Sequence, residues 1–146
     1  MITTNEKNTD IGRNQEEEMA MIAIYGVLTY ADMKQEADLQ SIISGITGST
    51  YEDSSYFIKA VVINSVKHYA DIVDLLTPNM RNWTFDRLNR VEQAILLLSC
   101  AHYLYLEEKV EKGVVIDVAV RLSKKFLDSK DYKFVNAILD KVLVHE

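Results

Sequence analysis

Apolar residues in this chain return every third or fourth position rather than every second. That is the period of an α-helix resting on a core, not of a strand. Ile58, Val62, Ser65, Tyr69, Ile72 and Leu76 form one such stripe, Leu88, Val91, Ile95, Leu98, His102 and Tyr105 a second, and Val115, Ala119, Leu122 and Phe126 a third. One proline and five glycines in 146 residues leave little to interrupt them. The pattern predicts an all-α chain with almost no strand.

The punctuation between stripes places the elements. Asn14, with Glu17 three residues on, reads as an N-cap with a capping box, and the helix it opens runs to about Met33. A short second helix closes over Ile42 to Ile46. Gly48, Ser49, Asp53 and Ser54 then favour a loop. The third helix carries the Ile58 to Leu76 stripe unbroken until Thr77, because Pro78 disfavours helical geometry in the residue before it, and Pro78 can itself start a short turn. The next helix begins after Trp83 and ends where EEKVEKG brings charge and Gly113. Its Gln93 to Leu106 segment has Ile95, Leu96, Leu97, Leu98, Ala101, Leu104 and Leu106 pointing in nearly all directions, which marks a helix surrounded by others. Asp117 is expected in the first turn of the following helix, and the last helix follows Asp128. Residues 1–12 are expected to be a disordered tail and residues 13–146 one compact domain, without internal repeats.

A chain of this length can bury a core without staples. Cys100, the only cysteine, lies in an apolar helical run and reads as a small buried hydrophobe, which suits a reducing cytoplasm. The polar start MITTNEKNTD is no secretory signal, and the longest stretch free of formal charge, Gln93 to Leu106, is too short to span a membrane. A cytoplasmic protein without a membrane role is expected.

The net charge of -6 argues against general nucleic-acid binding. The charge is uneven, however. Residues 1–80 hold 5 Lys and Arg against 12 Asp and Glu, a balance of -7, whereas residues 81–146 hold 11 against 10, a balance of +1. An anionic partner should meet the second half. The acids Glu16, Glu17 and Glu18 read most simply as first-turn carboxylates favoured by the helix dipole.

No reactive constellation is visible. Cys100 and His102 stand two apart on a helix, about 200° around its axis, and cannot share a metal or act as nucleophile and base. His68 and His145 are isolated, and no HExxH, CxxC or glycine-rich phosphate loop occurs. No enzyme activity, cofactor or metal is expected.

FDRLNRVEQAILLLSCAHYLY from Phe85, VVIDVAVRLSKKF from Val114 and DYKFVNAILDKVL from Asp131 carry a more specific signal in their order and spacing. Together they resemble the NusB family, in which a helix of the form R(L/I)xRVExAILRxAxYEL is followed by VxINEAVELAKxF and then KFVNGVLDK. The resemblance is close from about Phe57 onward. It implies a NusB-type fold of about six or seven helices in two small bundles sharing a core, here residues 13–82 and 83–146. It also implies a non-enzymatic transcription antitermination factor that joins the ribosomal small-subunit protein NusE and boxA-like RNA to an RNA polymerase antitermination complex.

The resemblance carries roles to particular residues. Tyr25 and Glu92 match positions that contact NusE in the family; read alone, Tyr25 is a half-buried helix residue and Glu92 an ordinary solvated acid. Lys133 and Phe134 match the KFVN motif beside the RNA, and Lys130 stands where an acid is common. A lysine beside an exposed aromatic suits a phosphate and a stacked base, whereas periodicity alone allows Phe134 to pack against Val115 or Phe126. The arginine run that opens the first helix in the family is replaced by RNQEEEMA, in which only Arg13 survives, and Leu97 occupies a frequent arginine position. Two other readings follow: a protein-only module that has lost RNA recognition, or an accessory domain of an RNA methyltransferase, for which the chain to Glu146 leaves no room. Met19, Ile22 and Tyr30 would offer a partly apolar face for a homodimer.

Overall fold

The computed structural model describes residues 11–81, 83–128 and 130–144. The predicted tail therefore lies almost wholly outside the described residues, as does His145. Among the described residues there are seven α-helices and no strand: α1 Arg13–Asp32, α2 Leu39–Thr47, α3 Tyr56–Lys67, α4 Tyr69–Leu76, α5 Arg90–Tyr105, α6 Lys112–Phe126 and α7 Asp131–Val142.

The helix expected at the centre is there. Eleven of the sixteen residues of α5 are buried, and it packs against α1, α3, α4, α6 and α7. Its start is set by Asn89, whose side-chain oxygen accepts the Val91 N–H at 2.8 Å. Cys100 is fully buried, and burial pushes its thiol up to about 12, so it stays protonated.

Several boundaries differ from the sequence reading. The N-cap of α1 is Gly12, which has no side chain to cap with. Asn14 is already inside the helix, and its side-chain oxygen accepts from Arg121 of α6 at 3.1 Å. The far end of α1 closes with Lys34 at φ 57°; the Lys34 N–H bonds to the Ala31 carbonyl and the Gln35 N–H to that of Tyr30. This is the Schellman arrangement with a lysine where glycine is usual. The Ile58 to Leu76 stripe is split at His68, whose backbone leaves helical geometry and whose ring stacks on Tyr105 at 3.7 Å between centroids. One residue in the bridge region leaves the apolar spacing intact, so periodicity does not reveal it.

Thr77 keeps helical dihedrals despite Pro78, with its hydroxyl donating to the Val73 carbonyl at 2.7 Å. The chain continues as a 3-10 turn over Thr77–Asn79 and becomes extended only at Met80. Asp117 is not in a first turn, because α6 begins at Lys112. Phe126, placed in the buried stripe of α6, is 38% exposed.

Candidate nucleic-acid interface

The acids of α1 face the cations of α6. Glu17 Oε1 accepts from Arg121 at 2.7 Å, and Glu18 Oε2 from Lys125 at 2.8 Å. Only Glu16 is in the first turn, where it pairs with Arg13 at 3.0 Å. The dipole reading of the acid cluster therefore holds for one carboxylate of three. Glu17 is buried, and a desolvated carboxylate requires its cation. Arg13 is also engaged on its other side, with its guanidinium carbon 4.3 Å from the centroid of the Phe57 ring. Glu17 and Glu18 of α1 thus neutralise two cations of the neighbouring helix.

The end of α6 and the start of α7 form a contrasting surface. Lys124 Nζ lies 4.7 Å from the Tyr132 ring centroid and Lys125 Nζ 5.4 Å from that of Phe126. Lys130 stands at the N-cap of α7 and Lys133 in its first turn; both are exposed, and neither forms an ion pair among the described residues. Lys124 and Tyr132 did not stand out in the sequence. The SKKF and DYKF runs that contain them were the available signal.

Phe134 is half-buried, packed on the core on one side and lining an open cavity of about 270 Å³ on the other. Trp83, Arg87, Asn89, Glu92 and Asp131 line the same cavity. Glu92 is thus no solvated surface acid. It is 6% exposed and makes no hydrogen bond or ion pair with a described residue. Burial, with a smaller contribution from the Asp131 charge, raises its carboxyl to about 7. The structure brings Glu92 together with Phe134.

Tyr25 is not among the residues that line this cavity. Its exposed ring is 5.6 Å from the Arg90 guanidinium, which is paired with Asp32 and also donates to the Thr29 hydroxyl. Nearby, α1, α3, α4 and α5 enclose a second cleft of about 320 Å³ between Val27, Leu28, Val66 and Tyr69, with Asp32 and Asp86 among its lining residues. Burial, with the Asp86 and Asp32 charges, raises the Tyr69 hydroxyl above its ordinary value. Leu97 also lines this cleft and is otherwise in the core, 1% exposed. Met19 is partly buried against the core, which leaves Ile22 and Tyr30 as the exposed members of the face suggested for self-association.

Among the described residues no cluster of His, Cys, Asp or Glu is arranged to hold a metal, and no helix is long and apolar enough to cross a membrane.

Among the described residues, six α-helices gathered about a buried seventh, with exposed cations and aromatics at the junction of the last two, define an all-helical protein. The chain belongs to the NusB family, whose model matches residues 14–144. It is 32% identical to the transcription antitermination protein NusB of Finegoldia magna, over 91% of this chain and 94% of that protein. It is 38% identical to that of Geobacillus kaustophilus over 62% of this chain and 68% of that one. Among solved structures, T. maritima NusB superposes with a TM-score of 0.73 at 24% identity, covering 91% of each chain. A chain from a crystal structure of the antitermination factors NusB and NusE with double-stranded RNA gives the same TM-score and identity over 90% of this chain and 95% of that one. At this identity the two structures establish the shared fold.

Proposed function

We propose that this protein is a transcription antitermination factor that acts by assembly, binding NusE through the face around Tyr25 and boxA-like leader RNA through the junction of α6 and α7. The observation that carries the RNA assignment is the pair of unneutralised lysines, Lys130 and Lys133, beside Tyr132 and Phe134. Cations without internal partners attract phosphates, and aromatic faces stack bases. The names of the relatives and the NusB, NusE and RNA complex of the structural neighbour support the same reading. Linking a protein contact and an RNA contact in one chain raises the local concentration of each partner for the other.

Arg13 is a weak contributor in this reading, because its guanidinium is held by Glu16 and Phe57. Glu92, the other residue expected to contact NusE, lines the cavity that Phe134 also lines. A second reading, a protein-only module, is favoured by one observation: Glu17 and Glu18 neutralise Arg121 and Lys125. Fluorescence anisotropy of labelled boxA RNA, with and without NusE, separates the two. RNA binding weakened by Lys133→Glu supports the adaptor, and absence of RNA binding even with NusE present supports the protein-only module. Tyr25→Asp should weaken the NusE complex by at least about 1 kcal/mol, as expected for an interface anchor, without changing helical content. Wild-type affinity for that variant by calorimetry would remove Tyr25 from the interface.

A further inference from the structure

We infer that the ion pair between Glu18 and Lys125 is an autoinhibitory contact on the RNA-binding face, and that NusE relieves it; the inference rests on the chain binding RNA and NusE as proposed above. The pair sits on a fixed base. Arg121 and Lys125 stand one turn apart on α6, and Asn14, Glu17 and Glu18 share the opening turns of α1. Arg121 donates to Asn14 Oδ1 at 3.1 Å and to Glu17 Oε1 at 2.7 Å, and the Glu17 side chain is only 4% exposed. That anchor sets the register of the two helices. It carries the next residue, Glu18, to Lys125, whose Nζ lies 2.8 Å from Oε2. The outer pair is different in kind, with the Glu18 side chain 32% exposed and that of Lys125 59%. Such a pair adds little to stability, so another anion can take the place of the carboxylate.

Four lysines lie where α6 meets α7. Lys124, Lys130 and Lys133 form no ion pair among the described residues, whereas Lys125 holds a carboxylate. A phosphate arriving at this junction therefore meets three free ammonium groups and one already occupied. To use the fourth it must displace Glu18, whose charge then stands beside it and repels it. Glu18 also belongs to the helix face assigned to the protein partner. Residues 18, 22 and 25 follow one another at spacings of four and three, which places them on one line along α1. Ile22 and Tyr25 of that line are exposed, and a protein seated on them lies within one turn of Glu18. A cation brought by that partner takes the carboxylate and leaves Lys125 to a phosphate. NusE and RNA binding are then coupled, and by linkage each strengthens the other by the same factor.

The test titrates labelled boxA RNA by fluorescence anisotropy with the wild type, Glu18→Gln, Lys125→Gln and the double variant, each checked for folding by thermal melting. Glu36→Gln, at an exposed acid beyond the far end of α1, is the control for net charge. Glu18→Gln is expected to bind RNA roughly threefold tighter than the wild type, the factor to which the coupling of an exposed ion pair corresponds. In the Lys125→Gln background the same substitution should change affinity little. Saturating NusE should strengthen RNA binding more in the wild type than in Glu18→Gln, again by a ratio of about three. Unchanged affinity in Glu18→Gln, a gain no larger than that of Glu36→Gln, or an equal gain with Lys125→Gln present overturns the contact as an inhibitor. Equal enhancement by NusE in the wild type and Glu18→Gln overturns the relief by the partner. In each of these cases weaker binding by Lys133→Glu leaves the RNA reading standing. If no variant binds RNA even with NusE present, the RNA reading and the autoinhibitory contact fall together.

Discussion

Lys34 holds a backbone conformation that costs an L-residue about 1 kcal/mol or more. Glycine there would relieve the strain while gaining entropy in the unfolded chain. Lys34→Gly is expected to stabilise the protein by about 0.5 kcal/mol, measured by urea denaturation. Glu92 and His102 give stability opposite pH slopes. Glu92 keeps its proton to about pH 7 in the folded chain against 4.5 unfolded, so its contribution is fully present below pH 4.5 and is lost as pH rises to about 7. The loss is at most about 3 kcal/mol, less to the extent that water in the cavity solvates the anion. Burial, aided by the Arg13 charge, lowers His102 from 6.5 to about 4, so its contribution is present above pH 6.5 and disappears as pH falls toward 4. Denaturation of Glu92→Gln between pH 4.5 and 8 should show the alkaline loss removed, with the acid loss retained. An unchanged slope on the alkaline side would mean that Glu92 is ionised throughout. None of this was legible in the sequence, because RVEQAIL places Glu92 among apolar neighbours whichever way its side chain leads. Only the approach of α7, with Asp131 and Phe134, closes the space around it.

Helices were more legible than their ends. The apolar stripes located α5 and α6 and the joined span of α3 and α4, whereas α1 and α7 were placed by the residues before them; α5 is central because its apolar residues surround its axis. The sequence did not show which charged residues of different helices meet. Glu17 and Arg121 are 104 residues apart, and a local rule assigned the glutamate to the dipole of its own helix. The link between α1 and α6 has a measurable consequence. Glu17 is buried while Arg121 is partly solvated, so deleting the arginine strands a carboxylate whereas deleting the glutamate strands little. Arg121→Met should therefore cost about 2 kcal/mol and Glu17→Gln about 1, with the double variant less destabilised than their sum. Strict additivity in that cycle would show that the two side chains do not interact.

For the whole molecule, charge placement matters more than the total of -6. The sequence located the excess of acid in its first half, and the structure adds that part of this excess is spent on cations of the second half. Arg121 and Lys125 are tied to α1, whereas Lys124, Lys130 and Lys133 form no ion pair among the described residues. Each neutralised phosphate of a single strand contributes about -0.7 to the slope of log K against log salt. On the proposed RNA contact, three lysines give an expected slope of about -2 for the protein alone, the mark of a weak complex. Lys130→Glu and Lys133→Glu should each lower affinity and flatten the slope, and Arg13→Ala should change neither. Glu18→Gln, which frees Lys125 without adding a cation, should strengthen binding and steepen the slope by about 0.7. Anisotropy titrations from low to moderate salt measure all of these. A slope near -5 in the wild type that collapses in Arg13→Ala would place the RNA along α1 and show that the acids there yield to phosphate.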